Sequence, residues 1–436
     1  MAPGDYLKRR RFLKTTGAVS TFALAGCTGG GDGGSGDGSS GDGSDGSGED
    51  GSSGDGGSTG GGGPSSVTIG VLGPRSGALS SLWPYYSENV KLAVDQINGD
   101  GNFVHDGGGL DVGGNSVDLE FQAYDTEAKP NVGVSAAERL IDQDGVPVIL
   151  GCISSTTSLA VMEVTQESEV PQITSVSTSP KITSPPDWHE WMFRNKDTAA
   201  MRASWITQGI ANEIGAGTVG MLGPNNDFGV DQMDTYEEYL AEHDVDVTNK
   251  IAFNPDQQSF NTELQQIKSS DPDLLYMAIN DPAMGETMLP QARQVGFPNI
   301  MAPAPLSSPD TPENYGDSLD GLYVEVPFPS NPQGISHVDQ WVSALESATD
   351  GEVPPDYIGA PTYDAVNVIA DSIVRAGSID PADIQRAMTE ASMTGVYGYP
   401  EFTLEFGEHN QADVQSGIGR WQSDNLEILT GPFAQE

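Results

Sequence analysis

Four hydroxyl side chains stand in a row at Ser154-Ser155-Thr156-Thr157, between an apolar run at 147–151 and a stretch of helical spacing that ends near Glu167. That order places them where a buried strand hands over to a helix. The first turn of a helix has N–H groups without intrahelical partners and carries the positive end of the dipole. Hydroxyls beside it add donors, so the junction suits a carboxylate or a carbonyl oxygen. One serine or threonine is enough to cap a helix; four exceed that need. Other chemistries are poorly provided for. The five histidines, at 105, 189, 243, 337 and 409, show no metal-ligand spacing, and there is neither a cysteine cluster nor a G-x-x-x-x-G-K-[ST] loop. Gly56-Gly57-Ser58-Thr59-Gly60 matches the hydrolase G-x-S-x-G pattern but lies in a low-complexity tract, without the strand and helix that pattern requires. No metal or cofactor is expected, and no Ser-His-Asp set points to an enzyme.

The elements that must position the hydroxyl loop alternate along the chain. Residues 67–73 read as a buried strand, 84–98 as a helix opened by Pro84, and 117–124 as a strand. Pro130 opens a helix that ends before Gly145, followed by strand 147–151, helix 156–167 and strand 171–174. After Arg194 the beat resumes, with helices near 198–213, 228–242, 260–268 and 282–295 and strands at 218–222, 245–252, 273–279 and 299–302. Helices near 336–348, 363–376 and 381–390 come next, then hairpin-like segments at 401–406 and 417–423. Such alternation predicts parallel sheets with right-handed crossovers, and two runs of domain length predict two α/β lobes. In open α/β sheets ligands lie outside the carboxyl ends of the strands, which is where 154–157 falls.

The first 66 residues read differently. Arg9-Arg10-Arg11-Phe12-Leu13-Lys14 has the pattern of a twin-arginine export signal. The apolar stretch 15–26 is too short to span a bilayer, which takes ~20 helical residues. It ends Leu24-Ala25-Gly26-Cys27, resembling the lipobox at which Cys27 is diacylated and becomes the new N-terminus. The 39 residues from Thr28 to Ser66 are almost only Gly, Ser and Asp. A random coil of that composition spans ~35 Å on average. The reading is a protein exported folded, tethered by lipid on the outer face of the membrane and held off it by a flexible leash.

Charge sets the solvent. Before Cys27 stand five basic residues and one acid; subtracting them from 19 Lys+Arg and 63 Asp+Glu leaves 14 against 62, a net charge of −48. Such a charge repels nucleic acid and anionic lipid. The acids are spread along the whole chain, which is the pattern of a salt-loving archaeal protein rather than of a cation site: at molar salt the Debye length is ~3 Å and self-repulsion is screened. With Cys27 taken by lipid, Cys152 stands alone and no intrachain disulfide forms. Cys152 itself reads as a small buried hydrophobe.

The order of residues from Val67 to about Gln422 resembles the branched-chain amino-acid type of substrate-binding proteins of ABC transporters, which have the type I periplasmic-binding-protein fold. The stretches that carry the likeness are Val67 to Gly77, Ala93-Val94-Asp95-Gln96-Ile97-Asn98, Tyr124-Asp125-Thr126, Gly151 to Thr157, Thr174 to Pro180, Pro224 to Gly229, Ala292 to Gly296 and Thr362-Tyr363-Asp364-Ala365. The resemblance implies two Rossmann-like lobes with parallel sheets joined by a hinge, each lobe discontinuous in sequence. Lobe 1 would take 67–194 plus about 323–395, and lobe 2 would take 195–322 plus about 396–436, after a signal at 1–26 and a lipidated linker at 27–66. It implies that Ser155 holds a ligand carboxylate, that Ile153 and Ser154 line the pocket, and that Val176 acts through its carbonyl and Thr178 through its hydroxyl and N–H. Phe228 and Tyr363 fall at pocket aromatics, Asn280 at a position often tyrosine, and Trp83 could cover the ligand, although each aromatic could equally be core packing.

One departure bears on the ligand. Where amino-acid binders commonly place an acid against the ligand ammonium, this chain has Ala304. Either Asp364, Asp281 or Asp197 substitutes, or the ligand is an amide, urea or small carboxylate. The implied function is a monomeric solute-binding lipoprotein that closes two lobes around a small polar solute, an amino acid first, and delivers it to the membrane subunits of an ABC permease. A ligand sensor and an enzyme are the competing classes.

Overall fold

The computed structural model describes residues 65–308, 311–328, 334–398 and 403–431. The arginine pair, Cys27 and nearly all of the acidic linker lie outside the described residues.

The first sheet contains β1 (Ser66–Gly73), β2 (Leu110–Val112), β3 (Asn115–Asp125), β4 (Ile149–Leu150), β5 (Gln172–Thr174) and β6 (Met192–Arg194), in the spatial order β2-β3-β1-β4-β5-β6. β1 begins at Ser66, one residue inside the expected linker, because Ser66 already pairs with Asp118. Every pairing is parallel except the β2–β3 hairpin. The crossovers are α1 (Trp83–Asn98), α2 (Pro130–Asp142) and α3 (Ser155–Glu167). α1 and α2 carry Pro in their first turn, where the missing N–H costs nothing.

The chain then crosses to a second sheet through α4 (Ala199–Gly209). β7 (Thr218–Pro224), α5 (Asp227–Glu242), β8 (Asp246–Phe253), α6 (Asn261–Lys268), β9 (Leu274–Met277), α7 (Pro282–Val295), β10 (Ile300–Ala302), α8 (Thr311–Tyr315) and β11 (Tyr323–Val326) form its parallel part. α9 (Ser336–Thr349), α10 (Gly359–Ala376) and α11 (Pro381–Thr389) return to the first lobe. α10 is buried along nearly its whole length and packs on α1, in one core with Trp341 and Tyr397. A small hairpin of β12 (Ser392–Thr394) and β13 (Thr403–Glu405) follows. β14 (Gly417–Gln422) and β15 (Asn425–Thr430) then complete the second sheet, antiparallel, in the order β15-β14-β11-β10-β9-β7-β8.

These memberships correct the expected boundaries. Residues 323–326 are a central strand of the second sheet, so the return to the first lobe starts after Val326, not at 323. Val396, Tyr397, Leu404, Ala412 and Val414 belong to the first lobe's core, so the last crossing comes just before Gly417, not at 396. Within the expected hairpin-like segments, 403–405 pairs with 392–394, and 417–422 pairs with a strand at 425–430 that the sequence reading leaves out.

Both lobes share one logic. The parallel order is β3-β1-β4-β5-β6 in the first and β8-β7-β9-β10-β11 in the second. In each, the chain lays its second parallel strand on one side of the first and all later ones on the other. The crevice where direction reverses, between β1 and β4 and between β7 and β9, is where doubly wound sheets bind ligands. Among the described residues no helix is long and apolar enough to cross a membrane.

Candidate ligand-binding site

A cavity of about 50 Å³ lies between the lobes at these two reversal points. In the same measure one water needs about 10–15 Å³, so the space fits a small solute rather than a peptide. The β1 loop contributes Leu79 and Leu82, the β4 loop Ile153, Ser154 and Ser155, the β5 loop Val176, Ser177 and Thr178, and the residue after β6 is nearly adjacent in Lys196. From the second lobe come Asn226 and Phe228 after β7, Ile279 and Asn280 after β9, and Pro303 and Pro305 after β10. Arg202 on α4, with Tyr357 and Ile358 before α10, completes the wall.

The hydroxyl loop is positioned by a sharp entry. Gly151 has φ +143°, and a Cβ there would stand 2.4 Å from the Leu72 carbonyl oxygen, so only glycine turns the chain out of β4 at this point. Ser154 is the residue before α3, yet its side chain makes no capping bond. The first turn of α3, whose Ser155 lines the cavity beside Ser154, therefore starts without a capping side chain. The Ser155 hydroxyl accepts from the Ser179 N–H at 3.3 Å, tying the β4 loop to the β5 loop. Thr178 is 4% exposed and its Oγ1 has no hydrogen-bond partner; Oδ1 of Asn280 and the hydroxyl of Tyr357 are likewise buried and unpartnered. Three buried polar atoms without protein partners on one small cavity are available to bond a polar ligand.

The lobes touch across the cleft. Ser81 donates to Asp281 at 2.7 Å, the Asp227 N–H donates to the Thr156 hydroxyl at 3.3 Å, and Ser179 donates to Asp231 at 2.5 Å. Lys181 pairs with Asp231 at 2.8 Å and Asp227 at 3.2 Å. The cleft is closed.

Beneath the cavity runs a buried charge cluster. Asp197 pairs with Arg202 and stands 3.5 Å from Lys196, and it also accepts from Tyr397 at 2.5 Å and Ser416 at 3.4 Å. The first passage between lobes, at Asp197, is thereby tied to the last, at Ser416. Burial alone would raise the Asp197 carboxyl, but Arg202 and Lys196 hold it well below the carboxylate range. Lys196 donates to the Tyr357 carbonyl at 2.8 Å and to the Tyr397 hydroxyl; burial pulls it down to about 7, against the opposing pull of Asp197. Arg202 reaches Glu325 at 3.3 Å, and Glu325 also accepts from Tyr236 at 2.6 Å and Tyr276 at 2.8 Å.

The structure brings together Ile153, Ser154, Ser155, Val176, Thr178, Phe228 and Asn280 at the cavity. It does not bring Tyr363 or Trp83 there. Tyr363 is fully buried within the first lobe, donating to Gln96 at 2.6 Å with its ring against Phe103 and Trp341. Trp83 opens α1 and leans on Tyr86 and over Gly73; Leu79 and Leu82, just before it, line the cavity instead. None of the three candidate substitute acids lines the cavity either. Asp364 accepts the amides of Val396 and Tyr397 at 2.9–3.0 Å, and its burial pushes it up to about 7. Asp281 caps α7 and bonds Ser81, while Asp197 is spent on Arg202. Ala304 is fully buried between the two prolines of the wall. Cys152 is buried, and burial drives its thiol well above its ordinary range. Sequence reasoning missed Leu79, Leu82, Ser177, Lys196, Arg202, Asn226, Ile279 and Tyr357; for Ser177, Asn226 and Ile279 the position just beyond a strand end was the available signal.

Comparison with known proteins agrees with this architecture. A leucine-, isoleucine-, valine-, threonine- and alanine-binding protein of Pseudomonas aeruginosa is 24% identical over 342 residues, covering 77% of this chain and 86% of the relative. A crystal structure of a leucine-binding protein from Thermotoga maritima superposes with a TM-score of 0.73 at 22% identity, over 84% of this chain and 98% of that one. A solute-binding protein of an ABC transporter from R. palustris, in complex with benzoate, superposes with a TM-score of 0.72 at 16% identity, over 85% and 98%. The pattern of the periplasmic binding proteins matches residues 66–425. With its two doubly wound lobes closed on a cavity at their reversal points, the chain belongs to the periplasmic binding protein family, in the type I fold.

Proposed function

We propose that this protein is the solute-binding component of an ABC importer and captures a small carboxylate-bearing solute by closure of its two lobes. The observation that carries the reading is the unpartnered Thr178 hydroxyl, buried on the same cavity as the uncapped start of α3. Ser155, Thr178 and the α3 amides would hold the carboxylate, and the apolar wall would take the remainder of the solute. The names of the relatives favour an amino acid such as leucine; the carboxylate end is common to that class and to simple organic acids. Export by the arginine pair and a lipid on Cys27 would place the protein on the outer face of the membrane as a monomer, and the −48 charge fits a molar-salt medium. Titration calorimetry of the full chain in molar KCl, against amino acids and small organic acids, tests the reading. One-to-one binding that disappears in Val176→Trp, which fills the cavity, is expected; binding that survives the filled cavity would refute it. Cys27→Ala should release the protein from membranes on cell fractionation.

A further inference from the structure

Resting on the reading of this cavity as the solute site, the charge on its wall narrows the ligand class. Its two charged lining residues among those described are both cations, Lys196 and Arg202. No carboxylate lines it among the described residues. The nearby acids are committed elsewhere. Asp197 serves Arg202, Lys196 and Tyr397, and Glu325 serves Arg202, Tyr236 and Tyr276. Asp356 accepts the amides of Ile358 and Gly359 at 3.1 and 2.6 Å. Arg202 gives Nε to Asp197 and Nη1 to Glu325.

An ammonium group closed into this space would meet Lys196 and Arg202 on the wall, while Asp197 and Glu325, already bonded to those cations, do not line it, and an unpaired buried charge is costly. A carboxylate meets the opposite conditions: helix N–H groups, the Thr178 hydroxyl, and the field of Lys196 and Arg202. The rest of the wall is largely apolar, from Leu79, Leu82 and Ile153 on one side to Phe228 and Ile279 on the other. We propose that the cavity takes a small carboxylate with an uncharged, apolar tail and excludes the α-ammonium of a free amino acid.

Matched pairs test this directly. Calorimetry with the full chain in molar KCl would compare leucine with 4-methylpentanoate, phenylalanine with 3-phenylpropanoate and alanine with propanoate. Within each pair only the ammonium differs. The expected result is binding of at least one acid, about 30-fold or more tighter than its amino-acid partner. An amino acid that binds as tightly as its deaminated partner overturns this inference and leaves the solute-site reading standing. Binding by no member of any pair counts against both. Asn280→Asp adds one carboxylate to the wall at nearly constant volume and should shift the ratio about tenfold or more toward the amino acid. An unshifted ratio in a folded variant would contradict the argument.

Discussion

Thr178→Val separates a binding hydroxyl from a structural one. In the closed conformation the Thr178 Oγ1 has no partner in the protein, so replacing it by a methyl group removes no hydrogen bond within the protein. With the lobes open in the absence of solute that hydroxyl is hydrated, so the expected change in folding stability without ligand is within about 1 kcal/mol of zero. With ligand present the balance changes. A hydrogen bond to a charged carboxylate contributes about 1.5–3 kcal/mol, so affinity should fall about 10- to 150-fold. Thr165→Val is the control. Its hydroxyl lies 3.1 Å from both the Met162 carbonyl and Gln172 Oε1, away from the cavity. That substitution should cost about 1–3 kcal/mol of stability and leave affinity unchanged. Urea denaturation at fixed molar salt and calorimetry on both variants provide the four numbers. A Thr178→Val protein that is less stable, yet binds within twofold of the parent, would refute the assignment of that hydroxyl to the ligand.

Two further outcomes follow from charge. Lys196 is faced by Asp197, Arg202, Asp356, Tyr357 and Tyr397, and with its folded value near 7 it loses its proton as pH rises through neutrality. A carboxylate in the cavity favours the protonated form, so above about pH 7 binding should take up a proton and affinity should fall by up to about tenfold per pH unit; calorimetry in buffers of different ionisation enthalpy reads the uptake, and a flat affinity from pH 6 to 9 would contradict it. Removing salt should unfold the protein by self-repulsion of its −48 charge, seen as a melting temperature that climbs steeply from about 0.1 M KCl upward by circular dichroism; a melting temperature independent of salt would contradict the halophilic reading.

The alternation of strands and helices was legible because both lobes bury continuous apolar strands between amphipathic helices, and proline marks where α1, α2 and α7 begin. β11 was not legible. Its Glu325 interrupts the apolar run Tyr323–Val326, and only the packed structure shows that carboxylate buried against Arg202 and two tyrosines. α10 starts four residues earlier than its spacing suggests, since Pro361 in the first turn needs no N–H partner and does not break it. The hydroxyl loops were readable from their place after strand ends. Lys196 and Arg202 were not, because a lysine and an arginine in sequence read as surface charges, and only the packed structure shows both buried. Tyr363 illustrates the reverse error: an aromatic at a plausible pocket position turned out to be claimed by the packing of α10 on its neighbours.

Solute-driven closure of the lobes is the central claim, and a distance across the cleft tests it most directly. Glu138 on α2 and Glu286 on α7 are exposed, one on each lobe, and can carry spin labels through Glu138→Cys and Glu286→Cys. Cys27 would be changed to Ser, while Cys152 stays inert through burial. Pulsed dipolar spectroscopy in molar KCl would then record the distance distribution without and with the acid or amino acid that calorimetry identifies. The account predicts a longer or broader distribution for the free protein, collapsing onto one shorter distance with solute bound. A distribution unchanged by saturating solute would contradict it.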